Sequence, residues 1–335
     1  MDSSLFKSYK VEDRSYISLI KREIHHLVRP RFSEKRTGEI DIIVSELASN
    51  LVKHTAGGEL VYRVFHEKDK PVFEILSIDN GPGMNDVSRF IKDGFSTSNT
   101  LGQGIGSINR LSNFSQIYSK ENWGTIFYVR CMENAGEKIS PGPIVIRCFS
   151  IAKPGEMVSG DGCSVRVLNK KICIMVADGL GHGKHAKTAT DVAIKCFQNS
   201  TDVTPSNLIK EMHEDLKKTR GVVATIAIMD TENEKVDLCG VGNINTRIYK
   251  GIEHKNYVTH NGVIGMNLPS RLENSILDLE KYQQLIFCSD GIKTKWNLVQ
   301  YTSILKYDPM ILAAAIYKDQ ARHTDDMTIV TAKFV

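Results

Sequence analysis

The chain has 335 residues, 43 Lys and Arg against 39 Asp and Glu for a net charge of +4, and 41% hydrophobic and 24% charged residues. That balance is ordinary for a globular protein of two domains, and the small, scattered basic surplus, with no run of five like charges, gives no reason to expect a nucleic-acid partner. Seven cysteines, an odd number with no CxxC pair, point to buried free thiols in a reducing compartment and against a disulfide framework or a cysteine zinc site.

Met1–Lys10 has no apolar core of a secretion signal, and the longest apolar run, Met310–Tyr317, is too short to span a bilayer. The expected location is the cytoplasm, without a membrane partner. In chain order, helical periodicity covers Arg14–Val28 and Glu39–His54, the latter with an apolar stripe of Ile40, Ile43, Val44, Leu47 and Leu51. Strand-like runs follow at Leu60–Phe65 and Val72–Ile78, then a helix from Gly104 to Leu111 and a strand over Gly124–Val129. This mixture predicts helices on one face of a sheet. Glu133–Pro143, with two prolines and two glycines, reads as a domain edge. The expected division is a first domain over 1–133, a linker over 134–143 and a second domain over 144–335.

After that edge strands dominate: Ile144–Ala152, Gly162–Leu168, Lys171–Ala177, Val223–Asp230, Lys235–Gly240, Thr246–Tyr249, Gln284–Ser289 and Met327–Lys333. Helices are predicted at His185–Gln198, Pro205–Lys217 and Met310–Lys318. Many strands and few long helices fit a β-sandwich with helices outside.

Four pieces of the first half can serve a nucleotide. Glu46 and Asn50 are four apart and share a helix face; the carboxamide oxygen suits Mg²⁺ and the carboxylate can act as a base, although a merely polar helix face has the same pattern. Asp79-Asn80-Gly81-Pro82-Gly83 follows a strand, and its carboxylate can accept from an exocyclic amine; turn chemistry alone also explains it. Gly102-Gln103-Gly104-Ile105-Gly106 opens a helix, the usual place for a phosphate, preceded by the hydroxyl-rich Phe95-Ser96-Thr97-Ser98. Thr125 begins a strand after Gly124.

In this order the pieces E-x-x-x-N, D-x-G-x-G, G-x-G-x-G and G-T resemble the GHKL ATPase family, and Ser45–Lys53 and Asp93–Leu111 resemble its RsbT-type switch kinases, over about residues 8–131. The resemblance implies a GHKL (Bergerat) α/β sandwich that binds ATP with Mg²⁺. It places Asn50 on Mg²⁺, Glu46 as general base, Asp79 with Gly81 and Gly83 at the adenine, Gly102, Gly104 and Gly106 at the phosphates, and Thr125 behind the base; Ser96 and Thr97, in the hydroxyl-rich loop, are candidates to touch the phosphates or to form a lid. Gln103 and the Gly106-Ser107 pair depart from the usual helix start of that family. His54, on the Glu46 face, reads as a local polar residue.

The second half repeats aspartate at strand ends: Gly160-Asp161, Ala177-Asp178-Gly179-Leu180-Gly181-His182-Gly183, Ser289-Asp290-Gly291 and Asp325-Asp326-Met327-Thr328. Hard carboxylates converging from several strands suit Mg²⁺ or Mn²⁺, and two such ions about 3.5–4 Å apart activate water for attack on phosphorus. The ordered set, over about 144–335, resembles the PPM phosphatases in their SpoIIE/RsbX-like branch. An αββα sandwich is implied, with Asp161, Asp178, the Gly179 carbonyl, Asp290 and Asp325 as metal ligands, Asp178 central to catalysis, and Asp326 as the spare of the doublet. His182 touches phosphate or shapes the turn. No arginine for phosphate is placed, and neither Lys184 nor Arg166 is assigned to it.

Together these resemblances imply an α+β protein of bacterial partner switching. Its phosphatase would act on phosphoserine or phosphothreonine of a regulatory partner, expected to be of the STAS-domain type, and its ATP-binding domain would phosphorylate, dock or gate. The rival reading is an anti-sigma-type protein that sequesters a sigma factor or other regulator in a nucleotide-dependent way. A homodimer fits either reading.

Overall fold

The computed structural model describes residues 5–84, 87, 101–137, 142–301 and 303–335, without the side chains of 101–103. The first half is one antiparallel sheet of β1 (Lys7–Val11), β2 (Gly58–Glu67), β3 (Lys70–Asp79), β4 (Phe114–Lys120) and β5 (Gly124–Met132), in the order β1-β2-β3-β5-β4. Helices α1 (Ser15–Val28), α2 (Glu34–His54) and α3 (Leu101–Leu111) cover one face. The apolar stripe of α2 is buried there as its periodicity predicts, with Ile40, Ile43, Val44, Leu47 and Leu51 against Leu60, Phe73, Ile75 and Val129.

Helix α2 starts five residues before its predicted start. Ser33 caps it by accepting from the Arg36 N–H at 3.3 Å, and its polar first turn is held by tertiary contacts. The Arg36 guanidinium, 1% exposed, donates to Met132 O, Leu111 O and Asn113 Oδ1 at 2.6–2.7 Å.

The second half is a sandwich of two antiparallel sheets. One runs β13-β10-β9-β8-β7, from β7 (Asp161–Leu168), β8 (Lys171–Gly179), β9 (Val222–Asp230), β10 (Lys235–Val241) and β13 (Ser275–Asp278). The other runs β12-β11-β14-β15-β6, from β6 (Ile144–Ile151), β11 (Asn245–Lys250), β12 (Glu253–Tyr257), β14 (Gln284–Cys288) and β15 (Met327–Phe334). Ile174, Val176, Val236, Leu285, Phe287 and Val330 fill the space between them. Helices α4 (Lys184–Asn199) and α5 (Pro205–Leu216) cover the outside of the first sheet.

Four strands of the structure have no counterpart in the sequence reading: β1, β4, β12 and β13. Each is an edge strand. With one hydrogen-bonded neighbour and mixed exposure they lack the apolar run that marks a central strand. The cysteines also differ from expectation at one pair. Cys148 of β6 and Cys163 of β7 meet between the two sheets as disulfide partners, with Cα atoms 7.0 Å apart, while the other five are free. They lie on strands of different sheets, a proximity that sequence spacing does not reveal.

The last helix, α6 (Pro309–Gln320), is buried from Pro309 to Tyr317 without a polar face. A helix apolar all round belongs inside a protein, and α6 lies between the two halves. It packs on Leu76, Ile126 and Tyr128 of the first sheet and on Phe149, Ile286 and Ile329 of the second half. Asp308 caps it by accepting from Met310 N at 2.9 Å, receives both Nε and Nη2 of Arg147 at 2.9 and 2.8 Å, and donates its own N–H to Gln116 Oε1 at 2.7 Å. No helix among the described residues is long and apolar enough to cross a membrane.

Beside this junction Glu74 is fully buried. It accepts hydrogen bonds from Arg63 Nη2 at 2.7 Å and from the Tyr128 hydroxyl at 2.6 Å, and forms an ion pair with Arg130, whose Nε lies 2.9 Å from Oε1. Burial alone would raise its pKa, but Arg63, Arg130 and Arg147 outweigh that and hold it at about 2. Glu74→Gln strands buried guanidinium charge and is expected to cost about 3–5 kcal/mol in urea unfolding at neutral pH. Because the folded pKa is depressed, this stabilisation is complete above the unfolded value of 4.5 and is lost as pH falls towards about 2. The gap between wild type and variant should therefore narrow across that window.

Candidate functional site

Two sites emerge, one in each half. In the first, Asp79 ends β3 and is 8% exposed. Its Oδ1 accepts from Gly81 N at 2.8 Å and Thr125 N at 3.2 Å, which leaves Oδ2 without a hydrogen-bond partner among the described residues. Burial raises its pKa; the two N–H groups and the nearby Lys318 ammonium pull the other way. The Thr125 hydroxyl pairs with Ser119 Oγ at 2.9 Å. Two glycines are required by the backbone. Gly83, at φ +72°, packs on the Lys120 carbonyl, and Gly124, at φ +118°, packs on the Asp79 carbonyl, leaving no space for a Cβ at either.

Glu46 and Asn50 are half-buried on α2. The Glu46 carboxylate lies against Gly104 of α3, where a Cβ would collide with it. Gly106 faces the Arg110 guanidinium, and Gly102 lies in the first turn of α3. Ser96 and Thr97 fall outside the described residues. A cavity of about 630 Å³ opens at the loop that follows Asp79, lined by Asn80, Gly81, Pro82, His54, Thr55 and Asn122; Asp79, Glu46 and Asn50 are not among its lining residues. His54 is thus part of a cavity wall, with its pKa lowered by burial and then by Lys53. Thr55 and Asn122 escaped the sequence reading; Asn122, at φ +59°, shows only the turn chemistry that such a residue shares with many loops.

The second site gathers the aspartates. Asp161 opens β7 and pairs across the ladder with Asp178 at the end of β8. Asp290 follows β14, and Asp325 precedes β15. A pocket of about 340 Å³ is lined by Asp178, Asp290 and Asp325 together with Asn243, Asn261 and Gly181. Burial, then the charges of Asp161, Asp290, Asp325 and Asp326, push the Asp178 pKa far above the usual carboxylate range. Asp161 is raised chiefly by burial, with the charges of Asp326 and Asp290 adding to it and the nearby Ser289 and Thr328 side chains pulling the other way.

The doublet splits into two roles. Asp326 is 3% exposed and accepts Lys153 N on Oδ1 at 2.8 Å and Gly160 N on Oδ2 at 2.7 Å. It braces the loop before Asp161. Asp325 instead lines the pocket. Gly179 donates its N–H to Gly160 O at 3.1 Å. His182 pairs with Glu156 Oε1 at 3.0 Å near the surface. Arg166 is committed to the carbonyls of Ser200 and Asp202. Sequence reading missed Asn243, whose Nδ2 donates to Asp290 Oδ2 at 3.3 Å, and Arg220, whose Nη1 lies 3.1 Å from where a Gly181 Cβ would be. Their only local signals are the turn pairs Gly242-Asn243 and Arg220-Gly221.

The donor set fits a hard divalent cation. The Asp161 Oδ2 atom is buried without a hydrogen-bond partner, and the surrounding carboxylates repel one another, so a cation would relieve both costs. No three such side chains among the described residues already close into a finished cage. Asp326→Ala orphans two backbone N–H groups and should destabilise the metal-free protein by about 1–3 kcal/mol for each group. Asp325→Ala removes a repelling charge together with the one hydrogen bond its Oδ1 accepts, from Asp326 N at 2.9 Å, and should destabilise the metal-free protein less than Asp326→Ala, as read from urea midpoints in EDTA.

Comparisons with known proteins find separate likenesses for parts of the chain. Residues 169–335 match the family model described as Stage II sporulation protein E (SpoIIE). The serine/threonine-protein kinase RsbT of Bacillus subtilis (strain 168) is 33% identical over 86 residues, 26% of this chain and 65% of the kinase. The chain thus spans a little under two thirds of that relative. The phosphoserine phosphatase RsbX of the same organism is 22% identical over 144 residues, 43% of this chain and 72% of the phosphatase. A crystal structure of RsbX in complex with magnesium superimposes with a TM-score of 0.53 at 20% identity, covering 59% of this chain and 98% of that one. The chain thus joins an N-terminal region similar to the kinase RsbT to a C-terminal region that matches the SpoIIE model over 169–335 and shares the phosphatase fold of RsbX.

Proposed function

We propose that the protein is a metal-dependent protein serine/threonine phosphatase of partner-switching type, with an ATP-binding domain over 1–133, a linker over 134–143 and a phosphatase domain over 144–335. The observation that carries this reading is the pocket where Asp178, Asp290 and Asp325 converge beside the buried, unpartnered Asp161 Oδ2. Asp161, Asp178, the Gly179 carbonyl, Asp290 and Asp325 would hold Mg²⁺ or Mn²⁺, as the magnesium complex of RsbX supports. Bound there, the metal supplies an activated water and neutralises charge on the phosphoryl group.

The chain's own residues do the rest. Asp326 fixes the loop that carries Asp161, and Asn243 orients Asp290. Arg220, exposed at the rim beside Gly181, is the cation that would hold the substrate phosphate. On the other half Asp79 would accept from the adenine amine through Oδ2, Asn50 would hold the Mg²⁺ of ATP, and Glu46 would serve as base if the domain transfers phosphate. The substrate would be a phosphorylated regulatory protein of the STAS-domain type, in line with likeness to RsbT and RsbX.

Hydrolysis of p-nitrophenyl phosphate should require Mn²⁺ or Mg²⁺ and fall to the uncatalysed rate in Asp178→Asn. ATP should bind with measurable heat to wild type and not to Asp79→Asn. Folded wild type that is inert with both metals would overturn the phosphatase assignment and leave a nucleotide-dependent binding protein.

A further inference from the structure

The turn Lys120–Gly124 between β4 and β5 touches both halves of the molecule. On one side Asn122 lines the cavity at the loop that follows Asp79 and donates its N–H to Pro82 O at 2.8 Å, while Gly83 and Gly124 bind the turn to the Asp79 loop backbone to backbone. On the other side the turn meets the last turn of α6. Trp123 Nε1 donates to Asp319 Oδ2 at 2.9 Å. Lys318 Nζ donates to Trp123 O at 2.9 Å and stands 4.0 Å from the centre of the indole ring. The Tyr301 hydroxyl donates to the same Asp319 oxygen at 2.9 Å, and Lys120 Nζ to Gln300 O at 2.7 Å.

The same helix end leads into the acidic pocket. Lys293 N donates to Gln320 O and Arg322 N to Gly291 O, both at 2.9 Å, and Ile292 bridges Ala321. Asp290 precedes this ladder on one strand and Asp325 follows it on the other. The position of the α6 C-terminus therefore sets how Asp290 and Asp325 face each other.

We propose that the last turn of α6 couples the two sites: occupancy beside Asp79 shifts the Lys120–Gly124 turn, and Trp123, Lys318 and Asp319 pass that shift to the Asp290–Asp325 pair. The proposal rests on the functional reading above and names the route of regulation within it. Close-packed elements move as bodies and do not deform freely, so a displaced turn displaces the helix end it is bonded to. Coupling of this kind is reciprocal in binding free energy. A rigid joint with no such role would show no response to ligand.

Hydrogen exchange of the full chain, with and without ATP at one fixed excess of Mg²⁺, reads the route directly. ATP should change exchange in the amides of 290–293 and 318–326, and should change p-nitrophenyl phosphate turnover by about fivefold or more, the usual lower end of allosteric coupling. Trp123→Phe keeps an aromatic ring but removes the N–H that reaches Asp319. It should retain ATP affinity and ATP-free turnover and lose both ATP effects; Asp319→Asn is the second variant if Trp123→Phe melts early. Wild type that binds ATP and hydrolyses substrate with neither effect, or a folded variant of either kind that keeps both, overturns the coupling alone. Absent ATP binding or absent metal-dependent turnover in wild type instead overturns the functional reading, and the coupling with it.

Discussion

Helix α6 is the constraint on which the rest of the structure depends. Its buried span from Pro309 to Tyr317 has no polar face, so it needs apolar surface on every side. It finds that surface only because two sheets lie against it, one from each half of the chain. A sheet with helices on one face also leaves its other face to be covered, and for β1–β5 that cover is α6. The two halves are therefore joined through a shared core, with a buried ionic group around Glu74 and Asp308 at one end of the helix and the Trp123–Lys318–Asp319 contacts at the other.

The acidic pocket shows a different economy of forces. Carboxylates are gathered there in spite of burial and mutual repulsion, and both effects raise the Asp178 pKa. Groups arranged against their own electrostatics mark a functional site more often than a structural one. Adjacent identical residues are separated by geometry: Asp326 has both oxygens engaged by backbone N–H groups, whereas Asp325 turns to the pocket. The one is a brace and the other is available for chemistry.

The layers α1–α3, sheet, α6, sheet, sheet and α4–α5 also explain why the two pockets can communicate at all. Neither pocket contains a residue of the other. Each is bonded to the same helix end, through a tight turn on one side and a short backbone ladder on the other. Short links of hydrogen bonds and packed rings transmit displacement between packed elements.

The central elements were legible in the local sequence, and the motifs pointed to a candidate chemistry. Periodicity marked the stripe of α2, apolar runs marked the central strands, and the ordered Asp-Gly and Gly-rich motifs marked the pieces of both sites, because these features are local and repeat at the spacing of the backbone. Tertiary structure alone decided what depends on distant partners. The polar edge strands β1, β4, β12 and β13 exist because a neighbour supplies their hydrogen bonds, and the first turn of α2 because Arg36 reaches carbonyls at Leu111 and Met132. The meeting of Cys148 with Cys163, the placing of Arg220 beside Gly181, the division of Asp325 from Asp326 and the wrapping of α6 by both halves are likewise proximities between residues far apart in the chain. Burial and hydrogen bonding fix such proximities only once the whole chain has packed.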